Sequence, residues 1–535
     1  MSIPFERADR ALSSFVLTSV PFAFVFAIVA SVAGAQVPAR PTPNTTYGVH
    51  VFNDQNATGL TAAQVDFCAQ RYAGTQKQTR ADADRYRAVN PDFLVLHYRL
   101  GQGLGHRSTS APCNPNGGLV TIIDGTWVPE WPGDAAVDEN WFWHQNGLRT
   151  LQCQWGWYLA ELDDTSWRSW WSDRVLAQLE HNDADGLFAD SFLVPNYMGG
   201  FSPALPALDP TFELAWSQKM ARFMDFMRAR FAGRYRFLPN VGTWLTTRDQ
   251  TDFARADGVF IEGFGYDAWE QYGLEAFTTQ SDRLLGLIVQ NKIVIGQSYR
   301  IDAAWQRMHT LANYFLIKGR HTFLNFETGQ APEWWPEYDV PLGAPLADAP
   351  TTTAGLFDPA KGVYTRAYSN GQVFLNAGAT TRSFALGATY RRAIPVGGGN
   401  VPASGVLPST WRVDTTSVSA LTLAPGEGAV VLVDATPYEL VPPIVFAGQQ
   451  ATMRVRNATP GAVQTFFASR APGATLWPAL GVTLGLASPR VGGFAVADAR
   501  GQASWTFTVG AAGAALHFQA AEIGGATQVA RIRVH

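Results

Sequence analysis

The sequence predicts an α/β fold: a (β/α)8 TIM barrel followed by two small all-β sandwich domains. From Tyr47 onward, strand-like and helix-like segments alternate over about 280 residues, the length of one eight-fold barrel. Two matched patterns, Asp-Gly-Leu-Phe-Ala-Asp at 185–190 and Asp-Gly-Val-Phe-Ile-Glu at 257–262, each close an apolar run with a carboxylate, as in a buried parallel strand. After about Pro350 the helical periodicity ends and alternating β-type sequence replaces it.

The first 35 residues have the pattern of a secretory signal peptide. Arg7 and Arg10 supply positive charge, an apolar stretch runs from Phe15 to Val32, and Ala33-Gly34-Ala35 is a small-x-small cleavage site. An uncleaved membrane anchor is the competing interpretation, because the stretch approaches spanning length. Pro21 inside it and the cleavage-like ending favour removal. We therefore expect a secreted, periplasmic or cell-surface protein with no stable membrane insertion after cleavage.

Composition shifts along the chain predict the domain boundaries. Residues 1–35 form the signal peptide, 36–46 a linker, 47–350 the barrel, 351–435 one β-sandwich and 436–535 a second, immunoglobulin-like sandwich. The eight candidate barrel strands are Tyr47–Phe52, Phe93–Arg99, Gly156–Glu161, Gly186–Asp190, Arg236–Asn240, Gly258–Glu262, Lys292–Ser298 and Thr322–Glu327. Amphipathic stretches predict helices at Ser166–Glu180, Phe212–Phe231 and Leu274–Gln290. The interval 101–154 is too long for an ordinary loop and predicts an insertion over the pocket mouth.

Composition and missing motifs argue against several functions. The net charge of −4, with no basic run, argues against a nucleic-acid partner. The sequence has no Gly-rich phosphate loop, no His-x-x-x-His zinc pair and no Gly-x-Ser-x-Gly elbow, which argues against phosphoryl transfer, zinc hydrolysis and serine esterase chemistry. We expect no organic cofactor and assign no metal ligands, and a metal bound by loop acids stays open. Of the three cysteines, Cys113 and Cys153 lie in or beside loop-like sequence and are the preferred disulfide pair. The oligomeric state stays open.

Asp190 and Glu262 are the candidate catalytic acids. Asp190 ends the fourth candidate strand and Glu262 the sixth, and the C-terminal strand ends of a parallel barrel carry catalytic groups. Because these strands are second neighbours, the carboxyl groups could lie ~5 to 9 Å apart, which covers glycosidic cleavage with retention or with inversion. Such chemistry needs one protonated and one ionised acid, and the sequence leaves these roles open. The structural alternative is that both acids cap helices or pair with arginine.

Polar residues near the strand ends are candidate substrate contacts. They are Asp54, His97, Tyr98, Asp163, Asn240, Gln297, Tyr299 and Glu327. A histidine at a strand end is more often a packed core residue, and Asp164 beside Asp163 has the position of a helix cap. Four tryptophans in Pro-containing loop sequence are candidate platforms for stacking a sugar ring. They are Trp127, Trp131, Trp334 and Trp335.

Three motifs resemble those of a known group. The strands reading Asp-Gly-[Leu/Val]-Phe-x-[Asp/Glu], the aromatic segment Trp167–Trp171 and the block Gly-Val-Tyr-x-Arg at 362–366 look like the glycoside-hydrolase-like barrel families related to α-galactosidase and endo-polygalactosaminidase barrels. The resemblance covers about residues 47–435. It implies a sugar-cleaving barrel with Asp190 on strand four as nucleophile and Glu262 on strand six as acid/base. This chain has Glu rather than Asp on strand six.

The leading hypothesis is therefore a secreted glycoside hydrolase that acts on a polysaccharide or glycoconjugate. The alternative is a non-catalytic glycan-binding or envelope-associated protein on a barrel scaffold. The separation of the two carboxyl groups, and whether arginine neutralises them, discriminate between the two.

Overall fold

The computed structural model describes residues 40–57, 59–105, 132–267, 273–299, 301–327, 332–433, 438–443, 445, 447–498, 501–510, 515–523 and 525–534. All of them belong to one compact unit. The predicted signal peptide, residues 1–35, lies outside the described residues. Among the described residues, no helix combines the length and apolar character needed to cross a membrane.

Eight parallel strands form a barrel, which confirms the predicted fold class. They are β1 (Val51–Gln55), β2 (Tyr72–Gln76), β3 (Leu94–Leu100), β4 (Gly186–Asp190), β5 (Arg236–Pro239), β6 (Gly258–Asp267), β7 (Ile293–Tyr299) and β8 (Thr322–Glu327). Each strand pairs with its neighbours in the chain, and β8 pairs with β1. A parallel bridge between Asn240 and Phe260 joins β5 to β6 and closes the ring. Asp190 therefore ends the fourth strand, as predicted, whereas Glu262 lies inside the sixth strand, which continues to Asp267.

Within the described residues, six α-helices connect the barrel strands. They are α1 (Ala62–Arg71), α2 (Arg80–Val89), α3 (Thr165–His181), α4 (Pro210–Phe231), α5 (Leu274–Ile288) and α6 (Ala304–Ile317). Asp164 caps α3 by accepting the Trp167 backbone N–H at 2.8 Å, the role that its position predicted. Between β5 and β6 the described chain makes a 3₁₀ turn in place of an α-helix. The 3₁₀ turns are Asp134–Ala136, Glu139–Trp141, Pro195–Tyr197, Phe253–Arg255, Pro336–Asp339 and Thr353–Leu356.

Strand alternation divides the barrel side chains between two cores. Inward residues fill the barrel interior, and they are Phe52, Leu94, Leu96, Phe188, Leu238, Phe260, Ile293, Ile295 and Phe323. Outward residues pack against the helices, together with Trp167 and Trp171 of α3, which are fully buried. Each such buried side chain contributes about 2 kcal/mol through removal from water. The interior core fills the barrel floor, so a pocket can open only at the strand ends.

The strand prediction was wrong at one place. The segment 156–161 is not a barrel strand, and Tyr72–Gln76 takes the second position that the prediction missed. Residues Trp157–Leu159 instead join a small antiparallel sheet with Gly103–Gly105, Leu151–Gln152 and Phe201–Ser202. A short hairpin, His144–Gln145 with Leu148–Arg149, lies in the same insertion.

Residues 40–46, predicted as part of a linker, pack against the N-terminal end of the barrel. Arg40 forms ion pairs with Asp183 at 2.7 Å and Asp185 at 3.0 Å. The Thr45 backbone N–H donates to the Arg320 carbonyl at 2.8 Å. The linker prediction therefore fails for this part of the segment.

The first β-block is one six-stranded antiparallel sheet. Its strands are Phe357–Asp358, Val363–Tyr368, Gly371–Leu375, Gly428–Val433, Arg382–Val396 and Arg412–Leu423, in sheet order. Val363–Tyr368 and Gly371–Leu375 form an antiparallel hairpin. One face shares the barrel's core and the other forms a small core of its own. A two-strand pairing, Glu333–Trp334 with Gly399–Asn400, adds a further link to the barrel.

The last block is a sandwich of two sheets around a separate core. One sheet contains Glu439–Val441, Gln450–Arg456 and Ala503–Thr508. The other contains Arg490–Val496, Val463–Ser469, Ala515–Glu522, Gly525–Ala526 and Ala530–Arg533. A hairpin of Pro472–Trp477 and Val482–Leu486 covers part of the second sheet.

The described cysteines occupy two states. Cys153 is disulfide-bonded. Cys68 is a free thiol on α1 and is fully buried. Cys113, the predicted partner of Cys153, lies outside the described residues.

Candidate active site

The C-terminal part of the barrel strands brings most of the predicted site residues into one cluster at the barrel mouth. Strand alternation continues the inward set above the phenylalanine layer, where polar residues replace apolar ones. These residues are Asp54 on β1, Tyr98 on β3, Asp190 on β4, Asn240 after β5, Glu262 on β6, and Gln297 and Tyr299 on β7.

Asp190 is held by three hydrogen-bond donors. The Tyr98 hydroxyl donates to Oδ2 at 2.6 Å, and the Asn240 amide donates to Oδ1 at 2.8 Å. The Ser191 backbone N–H also donates to Oδ1 at 2.7 Å, from a residue in the left-handed region with φ 54°. Together these hydrogen bonds fix the orientation of the Asp190 carboxyl group.

Glu262 is held by fewer donors and faces two other acids. The Tyr299 hydroxyl donates to Oε1 at 2.8 Å, and the Asn240 amide also interacts with this carboxyl group. Burial raises the pKa of Glu262 to about 7, and the charges of Asp190 and Asp54 act in the same direction. The side chain therefore titrates near neutral pH, as a proton donor must.

Asn240 lies between the two acids. Its Oδ1 accepts the Gly242 backbone N–H at 3.0 Å, which turns its NH₂ group toward the carboxylates. The side chain is 2% exposed, so its orientation is fixed by packing as well as by hydrogen bonding.

Asp54 belongs to a second cluster on the opposite strands. Its Oδ1 accepts the Gln76 amide, and its Oδ2 lies 3.5 Å from Lys77 Nζ. The Lys77 ammonium also lies 5.0 Å from the centre of the Tyr98 ring. The sequence analysis missed both Gln76 and Lys77, because it missed the strand that carries them.

Gln297 faces the interior between Glu262 and Asn325, its partners in strand register. It is fully buried, and neither amide atom has a hydrogen-bond partner within the described part of the chain. Glu327 ends β8, but its side chain lies outside what the structure describes, as do Trp127 and Trp131.

His97 does not lie in the pocket, so its predicted role as a substrate contact is corrected. Alternation points it outward, opposite to Tyr98, and its Nε2 lies 3.1 Å from Gln178 Oε1 on α3. Burial lowers the pKa of His97 to about 4. It is a neutral core histidine.

Asp163 is also corrected, because it binds two arginines on the helices. It lies 2.7 Å from both Arg168 and Arg222. These contacts, led by the Arg222 hydrogen bond, lower the pKa of Asp163. The segment before it is not a barrel strand, so Asp163 does not reach the barrel mouth from a strand end.

Trp334 and Trp335 are not stacking platforms. Both are buried, at 4% and 8% exposure. Arg71 lies 5.0 Å from the Trp334 ring, and Arg307 lies 4.1 Å from the Trp335 ring. These contacts occupy the ring faces that a sugar would need.

A cavity of about 880 Å³ lies at the other end of the barrel. Its lining includes Tyr47, His50 and Arg320, with Gln528 and Arg531 of the last domain. Asp92 is the one acid among its described lining residues. A facing acid pair is thus found at the barrel mouth and not in this cavity.

The described residues contain no cluster of three or more His, Cys, Asp or Glu side chains that could hold a metal ion. The pocket offers two close carboxyl groups in different environments, one rich in donors and one that titrates near neutrality. Fold and site together define a barrel of the glycoside hydrolase class.

A family model described as hypothetical glycosyl hydrolase family 15 matches residues 87–372, more than half of the chain. The chain belongs to this family, and it is a glycoside hydrolase. Its substrate is accordingly a carbohydrate. A comparison with curated protein sequences found no match.

Solved amylase structures show weak similarity. A maltogenic α-amylase, AmyB from Thermotoga neapolitana, is 10% identical with a TM-score of 0.33, covering 72% of this chain and 98% of that one. The β-amylase catalytic domain from Paenibacillus polymyxa is 10% identical with a TM-score of 0.34, and the match covers 54% of this chain and 92% of that one. An α-amylase from Malbranchea cinnamomea is 11% identical with a TM-score of 0.30, and the match covers 72% of this chain and 96% of that one. Likenesses at this level carry no argument about the present chain.

Proposed function

We propose that the protein is a secreted glycoside hydrolase in which Asp190 is the nucleophile and Glu262 the acid/base. The observation that carries the proposal is that both acids interact with the Asn240 side chain at the barrel mouth, where the charge of Asp190 acts on Glu262. The double displacement of retaining enzymes uses a pair of this kind, with carboxyl groups about 5–5.5 Å apart.

The two environments support different roles. Asp190 accepts three hydrogen bonds, which hold its carboxyl group in the fixed orientation that a nucleophile requires. Glu262 has a pKa of about 7, so it holds a proton for the leaving oxygen at neutral pH and can later accept one from water.

No observation favours the binding-only alternative. An acid neutralised by a cation would be a poor nucleophile or acid catalyst. Within the described residues, neither Asp190 nor Glu262 forms an ion pair with lysine, arginine or histidine. The acid at the barrel mouth that does pair with a cation is Asp54, which lies beside Lys77. The signal-like pattern of residues 1–35 supports export.

The test uses the protein from residue 36 onward with a panel of polysaccharides and aryl glycosides, followed by product analysis. Asp190→Asn and Glu262→Gln should each lose at least ~100-fold in rate on any glycoside that is cleaved. Asp225→Asn and Glu275→Gln are matched controls, because both side chains are exposed on helices, and they should retain full activity. Full activity in a folded Asp190 or Glu262 variant, or no cleavage of any glycoside, would contradict the proposal.

A further inference from the structure

Trp155 has the most exposed side chain of the tryptophans that the structure describes. Its exposed fraction is 57%, whereas Trp334 and Trp335, two of the predicted stacking platforms, are buried. In the described part of the chain, no aromatic ring and no lysine or arginine stacks on the Trp155 indole. A large part of this flat apolar ring is therefore open to a ligand.

The turn that carries Trp155 is held in one conformation. It joins the strands Leu151–Gln152 and Trp157–Leu159 of the small antiparallel sheet. The Gln152 side chain is 1% exposed, and its Oε1 accepts the Trp155 backbone N–H at 2.8 Å. The Gly156 N–H donates to the Gln152 carbonyl at 2.8 Å, and Gly156 has φ 70°, which glycine adopts readily. A turn that is fixed in the free protein loses little entropy when a ligand binds.

This turn lies beside the loop that follows Asp190. The insertion leaves β3 and leads to α3, so it lies at the C-terminal end of the barrel, the end that carries Asp190. The Cys153 N–H donates to the Gly200 carbonyl at 2.7 Å, and Gln152 Nε2 donates to the Gly199 carbonyl at 3.3 Å. Both glycines belong to the loop that begins directly after Asp190.

A second contact fixes the small sheet to the same loop. Gln102 is fully buried and lies between β3 and the strand Gly103–Gly105. Its Nε2 donates to the carbonyls of Ser191 and Leu193, both at 2.7 Å. The sheet and the loop are therefore one hydrogen-bonded unit, and Trp155 is displayed from it.

We propose that Trp155 is the stacking platform of a distal subsite, which binds a sugar ring of the substrate other than the one that reacts. A sugar ring presents a flat C–H face that packs on an indole. The occupant is a carbohydrate, because the chain belongs to a glycoside hydrolase family. The inference rests on the proposed function for one point, the position of the cleaved bond beside Asp190.

The position of the platform selects for the length of the substrate. An exposed ring outside the buried acid cluster adds affinity only to a chain that reaches it from Asp190. The contact uses C–H groups and carries no charge, so it discriminates little between hydroxyl configurations. The subsite therefore favours a polysaccharide or long oligosaccharide over a short glycoside.

Polysaccharide binding by the Glu262→Gln protein tests the platform without hydrolysis. The measurement is affinity electrophoresis in native gels that contain soluble starch, laminarin, galactomannan or arabinoxylan. We expect at least one of these polymers to retard the protein. Adding Trp155→Ala should weaken that binding by at least ~5-fold, the usual effect of losing one stacked ring. Adding Trp155→Phe should keep most of the binding, because an aromatic face remains.

Hydrolysis in the otherwise wild-type protein gives an independent result. Trp155→Ala should raise KM for the polysaccharide and leave kcat in place, because the platform does not touch the reacting atoms. The rise in KM should become smaller as oligosaccharides of the same sugar become shorter. A defect in folding would instead lower kcat on long and short substrates alike.

Phe494→Ala is the matched control, because Phe494 is 65% exposed on the last sandwich, which adjoins the opposite end of the barrel. It should not change polysaccharide binding. Unchanged binding in Trp155→Ala, an equal loss on long and short substrates, or no retardation by any of the polymers would overturn the platform. Trp155-dependent retardation of a protein that hydrolyses no glycoside would instead remove the proposed function and leave the platform intact.

Discussion

At Glu262, burial and the nearby charges of Asp190 and Asp54 all oppose ionisation, and burial is the largest effect. The hydrogen bonds from Asn240 and Tyr299 act in the other direction, because they favour the charged form. The pKa of about 7 is the balance of these effects. Changing one donor should therefore move the pH dependence of the reaction in a direction that can be stated in advance.

Tyr299→Phe should move the alkaline limb of the kcat/KM profile to higher pH. In the wild-type protein we expect the rate to fall as pH rises through about 7, because Glu262 in its proposed role would lose the proton that the leaving group needs. Removing the Tyr299 hydroxyl takes away a donor to the carboxylate, so the pKa of Glu262 rises and the proton is kept to higher pH. A pH–rate profile on any cleaved glycoside measures the shift.

Tyr390→Phe is the control for this measurement, because that hydroxyl interacts weakly with Gln372 in the first β-block, at 3.4 Å. Its profile should overlay that of the wild-type protein. A limb that stays in place or moves to lower pH in Tyr299→Phe would show that Glu262 is not the titrating acid.

Most site residues were predictable from two rules: strand ends carry polar groups, and alternate residues face inward. These rules place Asp190, Glu262 and Tyr98 on inward-facing positions at the barrel mouth, where the structure has them. They also imply that His97 and Tyr98, as neighbours on one strand, face opposite sides, so that only one of them can line the pocket. Residue type alone does not tell which strand ends meet arginines from the helices, and this is why Asp163 was misplaced.

At the scale of single elements, β2 shows the limit of pattern recognition. Its sequence Tyr-Ala-Gly-Thr-Gln has little apolar character and follows α1 without an intervening turn. Gly74 within it is required by packing, because a Cβ would lie 2.5 Å from the Leu94 carbonyl oxygen. The segment 156–161 has the stronger apolar pattern, yet it pairs antiparallel outside the barrel. Register and partner choice, which are non-local, decided between them.

Arg307 on α6 provides a stability prediction at this scale. It lies 2.7 Å from Glu337 in the 3₁₀ turn after the barrel, with side chains 7% and 0% exposed. Arg307→Leu would leave a buried carboxylate without its partner and should lower the free energy of unfolding by roughly 3 kcal/mol. Urea unfolding of the full chain from residue 36 measures the loss.

An exposed pair is the comparison for Arg307. Arg255 pairs with Asp225 on the surface, where solvent screens the charges, so Arg255→Leu should lower the free energy of unfolding far less than Arg307→Leu. The double variant Arg307→Leu with Glu337→Leu should recover part of the loss, because no unpaired charge remains. Equal effects of the two single variants would show that the buried pair has no special role.

For the molecule as a whole, the first β-block is part of the barrel's structure. Arg366 donates to the carbonyls of Leu316 at 3.1 Å and Lys318 at 2.7 Å, and so satisfies the C-terminal end of α6. The Tyr368 ring packs 5.4 Å from Phe315. The last sandwich, in contrast, has a core that contains no barrel residue.

Truncation should separate these two blocks. A chain that ends at residue 433 should fold, retain glycosidase activity and keep the unfolding midpoint of the barrel. A chain that ends at residue 350 would expose the apolar face against which the β-sheet packs and leave the end of α6 uncapped, so it should aggregate. Circular dichroism melting and size-exclusion chromatography distinguish the outcomes. A soluble, cooperative barrel ending at 350 would contradict the shared core.

The most direct measurement of the central claim is covalent trapping of the nucleophile. A 2-deoxy-2-fluoro glycoside of a sugar that the enzyme cleaves slows release of the glycosyl-enzyme, and mass spectrometry of the digested protein then locates the label. The paired-acid account predicts one glycosyl group on the peptide that contains Asp190, and none in Asp190→Asn. A label on a different residue, or a product of inverted anomeric configuration with no label, would contradict it.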